Sequence, residues 1–342
     1  MKPITYSLLA AAFACGFASA QSTTATSPVV GYETLAMSPG FNFVGVRLHE
    51  NPIAVGLLDS ATTAPNTVTD NDINLGALIT GGKTYILEIQ NGSGIIQEIT
   101  SAGAGTSIVT AANLTGLTYP CSYTLRPAST LNSVFGSSVA TMKLDYGQGG
   151  YGGADQVWKW NGTGFTKYYF DQYAGPLQDQ ETWVNVDTSA TVSGATVNLI
   201  YADSFIVSSA AGKDVTVSGD LKAGPTELNI VGGFNFAGSV GPVGMDLKTA
   251  FGDTAATVTA SGVHIGQGGY GGADQIWLWN GTGFTKVYFD QYAGPLQDQE
   301  LWVNVDTSAT VPSTTALGAG FIISGAGAGN IHEGVPAYYT GL

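Results

Sequence analysis

A block of 46 residues occurs twice in this chain with almost no change. Residues 147–192 and residues 266–311 are identical at 42 of the 46 positions, and they are offset by 119 residues. Repetition at a fixed offset indicates two homologous structural units in tandem. Any binding site formed inside the block should therefore exist twice.

The N-terminus has the pattern of a secretory signal peptide. Lys2 precedes a short apolar run and an Ala-Ser-Ala cleavage sequence at 18–20. We therefore predict a signal peptide at 1–20 and a flexible, Thr- and Ser-rich leader at 21–28. The protein should be exported and should act outside the cell or at the cell surface, with the periplasm as an alternative. The apolar run is too short to span a bilayer, and no membrane span is expected.

Charge and composition exclude some partners and favour one fold class. The chain has 11 basic and 25 acidic residues, a formal net charge of −14. Since nucleic-acid binding needs a basic surface, no nucleic-acid partner is expected. The 48 glycines and the scarcity of Lys, Arg and Glu disfavour helices and suit short strands with tight turns.

We predict an all-β fold with two tandem, internally homologous, β-sandwich-like or barrel-like domains that carry short helical turns. A Gly-Phe-Asn-Phe motif at 40–43 recurs at 233–236, and its two Phe share one strand face. The motif marks the start of each unit, which gives β domain 1 at 29–223 and β domain 2 at 224–342.

Local patterns add detail to this division. An insertion at about 60–120 lengthens the first domain, and strands at 85–90 and 95–100 are predicted to form a hairpin within it. Polar caps and terminal glycines predict helical turns at 130–136 and 246–252. Residues 335–339 are predicted to form a third boundary strand that closes the second unit, and the alternative is that this strand adds to the sheet edge of a neighbouring chain.

The tryptophans of the repeat lie in a predicted hairpin. Trp158 and Trp160 alternate with Lys159, which is Leu278 in the second copy. A position that accepts Lys is a poor core position, so we predict that the tryptophan face is the core face. Burial of the repeat tryptophans follows from this prediction: Trp158, Trp160, Trp277 and Trp279.

Four tyrosines form the candidate ligand-binding set. Tyr151, Tyr173 and their equivalents Tyr270 and Tyr292 lie in glycine-rich or turn-like segments. A tyrosine ring in such a segment can stack on a sugar ring instead of filling a core. The alternative for all the aromatic residues of the block is an ordinary core role.

Carboxylates of the repeat give a candidate metal site. Asp179 and Glu181, with Asp298 and Glu300 in the second copy, would point the same way on a strand. Calcium prefers clustered oxygen ligands and is the cation considered. Solvated acids and turn caps are the alternative, and no other cofactor is predicted.

No catalytic motif stands out, so we predict no enzymatic activity. The histidines lack zinc-ligand spacing, and no G-x-S-x-G sequence is present. A glycoside hydrolase needs two opposed carboxylates. The acids of the repeat keep that class open as an alternative, although it would require two near-identical active sites.

The recurring motifs resemble those of a group of proteins. The patterns G-F-N-F-x-G, D-Q-[VI]-W-x-W-N-G-x-G-F-T-K and F-I-[VI]-S resemble uncharacterised secreted β-rich repeat proteins of verrucomicrobial bacteria. The resemblance implies export and a β-rich fold. We predict a structural or adhesive protein of the cell surface or extracellular matrix that associates with itself or with surface glycans. The alternative is a carbohydrate-binding protein with two equivalent sites.

Overall fold

The computed structural model describes residues 30–63, 66–90, 94–200, 202–222, 224–241, 244–294 and 298–341. The predicted signal peptide and leader lie outside these residues. The described chain is all-β, with four short helices and one 3-10 turn. Within it, no helix has the length and apolar character needed to cross a bilayer.

The N-terminal part holds β1 (Val30–Met37), β2 (Gly40–Gly45), β3 (Leu48–His49), β4 (Ala54–Leu58), β5 (Ser60–Thr63), β6 (Asn66–Thr69), α1 (Leu75–Leu78), β7 (Tyr85–Ile89), β8 (Ile96–Ala102), β9 (Ser107–Thr110) and β10 (Cys121–Pro127). The middle part holds α2 (Leu131–Phe135), β11 (Gln156–Trp160), β12 (Phe165–Ala174), β13 (Gln180–Asn185), β14 (Thr191–Val192), β15 (Ser204–Ser209) and β16 (Lys213–Leu221).

The C-terminal part holds β17 (Thr226–Ile230), β18 (Gly233–Gly238), α3 (Leu247–Phe251), α4 (Ala255–Ala260), β19 (Gln275–Trp279), β20 (Phe284–Ala293), β21 (Gln299–Asn304), β22 (Thr310–Val311), β23 (Gly320–Gly325), β24 (Gly329–Glu333) and the 3-10 turn Ala337–Gly341.

A seven-stranded antiparallel sheet forms a nearly closed barrel. Its strand order is β4-β10-β7-β8-β9-β6-β5. Only Asp59 separates β4 from β5, although these strands lie at opposite ends of the order. The sheet must therefore curl, and it encloses its own apolar core around Leu58, Leu87 and Tyr123. The predicted hairpin is confirmed here, because Tyr85 pairs with Ile99 and Glu88 with Ile96.

The two copies of the repeat fold into equivalent parts of two six-stranded sheets. The orders are β14-β13-β12-β11-β15-β2 and β18-β23-β19-β20-β21-β22. The register is the same in both copies: Phe170 pairs with Trp183, and Phe289 pairs with Trp302. Each copy also carries a bulge just after the conserved pair, between residues 171 and 174 and between 290 and 293. The division of the chain into two domains remains a prediction.

The prediction that the tryptophan face is the core face of the hairpin is wrong. Val157 and Ile276 are fully buried, and Leu278 is 6% exposed in the core of the second sheet. Trp158, Trp160, Trp277 and Trp279 lie half-buried on the opposite face. Lys159 lies on the core face, although a charged residue is expected on the opposite face. Its side chain lines a cleft, which leaves room for its charge.

The half-buried aromatic faces of the two sheets pack against each other. The ring centroids of Phe43 and Phe284 lie 4.9 Å apart, and those of Phe236 and Phe165 lie 5.0 Å apart. Phe43 and Phe236 stack on each other with their centroids 6.0 Å apart. These reciprocal contacts relate the sheets by an approximate twofold axis. Gly45 allows the close approach, because a Cβ there would lie 2.3 Å from the Ala319 carbonyl oxygen.

Buried charges join the barrel to the neighbouring strands. Arg126 of β10 pairs with Asp220 of β16 at 2.9 Å and with Glu88 of β7 at 3.5 Å. Lys222 pairs with the same Glu88 at 3.3 Å, and none of the four side chains is more than 10% exposed. Loss of one partner would leave a buried charge unpaired, at a cost of about 3–5 kcal/mol. The network therefore fixes how the barrel sits against β16.

The C-terminal segment differs from its prediction. Residues 337–341 form a 3-10 turn and not a third boundary strand. The strand that pairs with β17 is β24, from Thr226↔Glu333 to Ile230↔Gly329. Pro336 explains part of the difference, because proline cannot donate to a strand ladder. The helical turns predicted at 130–136 and 246–252 are confirmed as α2 and α3.

Candidate functional site

A glycine loop in each repeat is held by one buried carboxylate. Asp171 Oδ1 accepts hydrogen bonds from the Gly149 amide at 2.8 Å and the Tyr173 amide at 3.0 Å. Asp290 does the same for Gly268 at 2.7 Å and Tyr292 at 3.0 Å. The Tyr173 and Tyr292 amides lie in the bulge that follows each aspartate. The carboxylate thus links the loop before β11 or β19 to the bulged strand.

A buried tyrosine completes this anchor. The Tyr288 hydroxyl donates to Asp290 Oδ2 at 3.2 Å, and the Tyr169 hydroxyl lies 3.4 Å from Asp171 Oδ2. Burial raises the pKa of Tyr288 to about 12, and the nearby Asp290 charge adds to the rise. The pKa of Tyr169 is raised for the same reasons. Both phenols therefore stay protonated and act as hydrogen-bond donors at neutral pH.

All four predicted sugar-stacking tyrosines are exposed beside this anchor. Tyr151 and Tyr270 are 56% and 53% exposed, and their rings meet Tyr169 and Tyr288 edge-on at 6.1 Å. Tyr173 and Tyr292 are 45% and 44% exposed. In each copy, one exposed tyrosine, Tyr151 or Tyr270, contacts the buried tyrosine through its ring. The backbone amide of the other, Tyr173 or Tyr292, donates a hydrogen bond to the buried aspartate.

A cleft opens next to the second copy of this arrangement. It has a volume of about 560 Å³ and is lined by Gly268, Asp290, Tyr292, Gly294 and residues 308–310. The first copy has the same residues at the equivalent positions. A shallower opening of about 370 Å³ lies there against Gln148, Gly149 and Gly150. The two openings share the glycine loop, although they extend along different sides of it.

The predicted calcium ligands lie elsewhere on the repeat. Asp179, Glu181, Asp298 and Glu300 are all exposed. Glu181 accepts a hydrogen bond from the Val139 amide at 2.8 Å, and Glu300 accepts one from the Ala255 amide at 2.7 Å. Ala255 is the first residue of α4, so Glu300 caps that helix. Among the described residues, no group of three or more His, Cys, Asp or Glu side chains is placed to hold a metal ion.

The anchoring pairs Tyr169–Asp171 and Tyr288–Asp290 were not predicted as site residues. Asp171 and Asp290 belong to five carboxylates that both copies share, and sequence identity does not distinguish among them. Their alternation with Tyr169 and Tyr288 places each pair on one strand face, which is a usable signal. The bulge that holds the Tyr173 or Tyr292 amide next to the carboxylate has no clear sequence pattern.

Comparison of this chain with protein-family models, with curated proteins and with solved structures finds no match.

Proposed function

We propose that this protein is an exported, non-catalytic, adhesive glycan-binding protein with two equivalent sites. The observation that carries the proposal is the doubled arrangement of exposed tyrosines around a glycine loop. In each copy, two tyrosines about half-exposed lie in or beside an anchored loop that is rich in glycine. The loop is pinned by a buried aspartate, so the tyrosines are held in place before a ligand arrives.

The chemistry of the arrangement suits a sugar ring. Tyrosine offers an apolar face together with a polar hydroxyl, and a sugar ring offers C–H faces together with hydroxyls. Glycine residues leave backbone amides and carbonyls open to ligand hydroxyls. Binding sites for small ligands combine aromatic walls with a few placed polar groups, and the second-copy cleft has Tyr292, Ser308 and Thr310 in its lining.

The carboxylates at the two sites support a binding role. Asp171 and Asp290 each accept two backbone hydrogen bonds and face a tyrosine hydroxyl. Their hydrogen-bonding capacity is used by the fold, which suits a structural anchor better than an acid or base in catalysis. Two sites on one chain can raise the avidity for a repeating polymer by about 10²–10⁴ over a single site. An adhesive role gains directly from this effect.

Retention on insoluble polysaccharides tests the proposal. The mature protein and the Tyr173→Ala, Tyr292→Ala and double variants are applied to a panel of polysaccharides and a glycan array. We expect each single variant to bind with reduced avidity and the double variant to lose binding. Tyr32→Ala is the matched control, because Tyr32 is 79% exposed on β1 and lies outside the repeat.

Two results would contradict the proposal. One is a wild-type protein that binds no member of the panel. The other is a double variant that binds like the wild type. We also expect no release of reducing ends from any polysaccharide, and a release that the double variant Asp171→Asn/Asp290→Asn abolishes would assign a hydrolase instead.

A structural, self-associating role is the second candidate, and one observation favours it. Val55 and Leu57 on β4 are 60% and 52% exposed, and Ile53 just before them is 38% exposed. Neighbouring exposed apolar side chains on an edge strand are a known route to association. Sedimentation of wild type against Val55→Thr/Leu57→Thr tests this role. A concentration-independent monomer for the wild type would remove it.

A further inference from the structure

A cleft of about 380 Å³ lies where the barrel, the first six-stranded sheet and β17–β18 meet. It is separate from the tyrosine sites, and its lining combines Lys159 and Trp160 of the repeat with residues outside the repeat. Charged side chains from distant segments of the chain converge on it, beside an aromatic wall. The charged residues are Glu98, Lys159, Asp203 and Glu227, and the aromatic residues are Trp160, Phe234 and Phe236.

Most of these charges have no partner in the fold. In the part of the chain that the structure describes, no hydrogen bond or ion pair engages the side chains of Glu98, Lys159 or Asp203. Glu227 accepts a hydrogen bond from Asn330 at 2.9 Å and lies 3.8 Å from His332 Nδ1. Glu98 and Asp203 are exposed, so water solvates both carboxylates and both remain open to a ligand.

Asp203 shows how the cleft acts on its charges. Its side chain still contacts solvent. The surrounding protein nevertheless raises the pKa of Asp203 to about 6, because the cleft walls displace water from the carboxylate. The Lys159 charge opposes the rise and the Glu98 charge adds to it. These three groups are thus close enough to influence one another, and a bound cation would stabilise the ionised Asp203.

The approximate twofold axis provides a comparison within the molecule. The reciprocal cleft, about 270 Å³, has Trp279 and Phe43 where the first has Trp160 and Phe236. At the positions of Lys159 and Asp203, however, the second copy has Leu278 and Ala319. Asp203 precedes Ser204, the first residue of β15, and Ala319 precedes Gly320, the first residue of β23. Ser204 pairs with Gly45 and Gly320 pairs with Gly238, so Asp203 and Ala319 occupy equivalent positions.

The aromatic wall therefore belongs to the repeated fold, and the charges do not. The second copy folds with apolar residues at both positions, so neither Lys159 nor Asp203 is needed to build the sheet. In the reciprocal cleft, the charged residue Arg47 is already paired with Glu33. The unpaired charges lie in the cleft that the barrel lines through Glu98 of β8.

The charge balance and the aromatic wall define the ligand class. Three carboxylates face one ammonium group, so the cleft has an excess of negative charge. Phe234 is 48% exposed and offers an open ring to a ligand. Aromatic rings and carboxylates together select organic cations through cation–π contacts and charge-assisted hydrogen bonds.

We propose that this cleft binds a protonated amino group carried on a sugar ring, with the ammonium group beside Glu98 and Asp203 and the ring against Phe234. The proposal rests on the proposed glycan-binding function only for the identity of the carrier. It adds a third site that selects amino sugars within a polymer held by the tyrosine sites. Lys159 limits the affinity, because it competes with the ligand for the same carboxylates.

Two hexasaccharides that differ only in the amino group test the site. Affinities for the glucosamine hexamer and the N-acetylglucosamine hexamer are measured by calorimetry at pH 6.5, where amines are protonated and Asp203 is mostly ionised. Since a charge-assisted hydrogen bond is worth about tenfold or more in affinity, we expect at least about a tenfold preference for the glucosamine hexamer. Acetylation removes the charge, so the preference reports the carboxylates directly.

The variants come from the chain itself. Asp203→Ala and Lys159→Leu introduce the residues that the second copy has at these positions, so the fold accommodates them. We expect Asp203→Ala and Glu98→Gln each to remove most of the preference and Lys159→Leu to increase it. Asp72→Asn, an exposed carboxylate elsewhere on the barrel, is the control and should leave the preference unchanged.

The outcomes separate this site from the tyrosine sites. A preference that survives Tyr173→Ala/Tyr292→Ala supports the cleft even where the tyrosine sites prove inactive. Equal affinity of the wild type for the two hexamers, or absence of binding to both, overturns the cleft proposal. A preference unchanged in the Asp203→Ala/Glu98→Gln double variant overturns it as well. Neutral glycans that bind through the tyrosines without any amine preference would leave only the proposed function standing.

Discussion

Glu333 at the end of β24 is expected to make the stability of this protein fall as the pH rises from 6.5 to 8. The side chain is fully buried. Burial raises the pKa of Glu333 to about 8, and hydrogen bonds from the Val240 amide and the Ser239 hydroxyl together with the Lys222 charge offset only part of the rise. The folded protein therefore holds a proton that the unfolded chain releases.

The sign and size of the effect follow from proton linkage. A group whose pKa is higher in the folded state stabilises fully below its unfolded pKa, which is about 4.3 for Glu. That contribution is lost as the pH rises through the folded value of about 8. The free energy of unfolding falls by up to about 1.4 kcal/mol per pH unit, and the fall levels off near the folded pKa. Between pH 6.5 and 8 the expected loss is about 1.5 kcal/mol.

The other shifted groups contribute little in the chosen window. Burial and the nearby Arg126 and Lys222 charges hold the pKa of His49 well below 6.5, so stability rises slightly just above pH 6.5 as the unfolded chain releases this proton, and the rise is common to both proteins to be compared. The pKa of Asp203, about 6, also lies below the window. Burial lowers the pKa of Lys222, which acts in the opposite direction. Lys222 is present in both proteins to be compared, so it cancels to first order.

Glu333→Gln removes the titration and nearly preserves the shape. Of the described residues, none hydrogen-bonds Glu333 Oε2, so the new amide leaves donors unsatisfied at a cost of about 1–3 kcal/mol. The informative quantity is therefore the slope with pH and not the absolute free energy of unfolding. Urea unfolding is followed by tryptophan fluorescence in half-unit steps from pH 6.5 to 8, with a constant m-value as the check on two-state behaviour.

We expect the wild type to lose about 1.5 kcal/mol over this range and Glu333→Gln to stay level. The control Asp72→Asn removes an exposed carboxylate and should follow the wild type. Parallel profiles for wild type and Glu333→Gln would refute the reasoning, because they would mean that Glu333 is already ionised in the folded protein at pH 6.5.

Three further predictions concern the sheet contact, the glycine loop and calcium. Gly45→Ala places a Cβ 2.3 Å from the Ala319 oxygen and should cost about 1–3 kcal/mol in urea unfolding, whereas Gly81→Ala, with no atom within 4 Å, should be neutral; equal stability of both variants would contradict the close packing. Asp290→Asn weakens the bonds to the Gly268 and Tyr292 amides, so hydrogen exchange at 266–272 should quicken while 147–153 stays unchanged, and unchanged exchange in both loops would argue against the anchor. Removal of calcium by chelation should leave the melting temperature within a few degrees, because no cluster of three or more ligands is found among the described residues. A calcium ion bound at about 100 times its dissociation constant would add roughly 2.7 kcal/mol to the stability, so a fall of about ten degrees would establish calcium binding.

The sequence predicts the local elements well because local chemistry decides them. The hairpin at 85–100 and the turns α2 and α3 are specified by alternation, glycine and polar caps within a few residues. Their place in glycine-rich or turn-like segments made the four tyrosines the candidate sugar-stacking residues, and such segments leave few neighbours to cover a ring, which agrees with their exposure.

The face of the tryptophan strand could not be predicted in the same way. Lys159 lies on the core face, and only the position of a cleft formed by other segments makes a charge acceptable there. Trp183 and Trp302 are the deeply buried tryptophans, and their indole N–H groups donate to the Gly136 and Gly252 carbonyls. Those carbonyls end short helices about fifty residues earlier in the chain, so the pairing is a property of the fold and not of the local pattern.

The differences between the two copies indicate where this molecule has specialised. The residues that both copies share hold the sheets together and anchor the tyrosine loops, as Asp171 and Asp290 do. Lys159 and Asp203, which the second copy lacks, instead face the cleft that the barrel reaches through Glu98. The buried Arg126–Glu88–Lys222 network holds that barrel in one orientation, which keeps Glu98 at a fixed place in the cleft. A barrel attached only as a spacer would not need an orientation fixed by buried charges, whose desolvation is costly. The cost is understandable if the barrel completes a binding site that the duplicated sheets alone do not form.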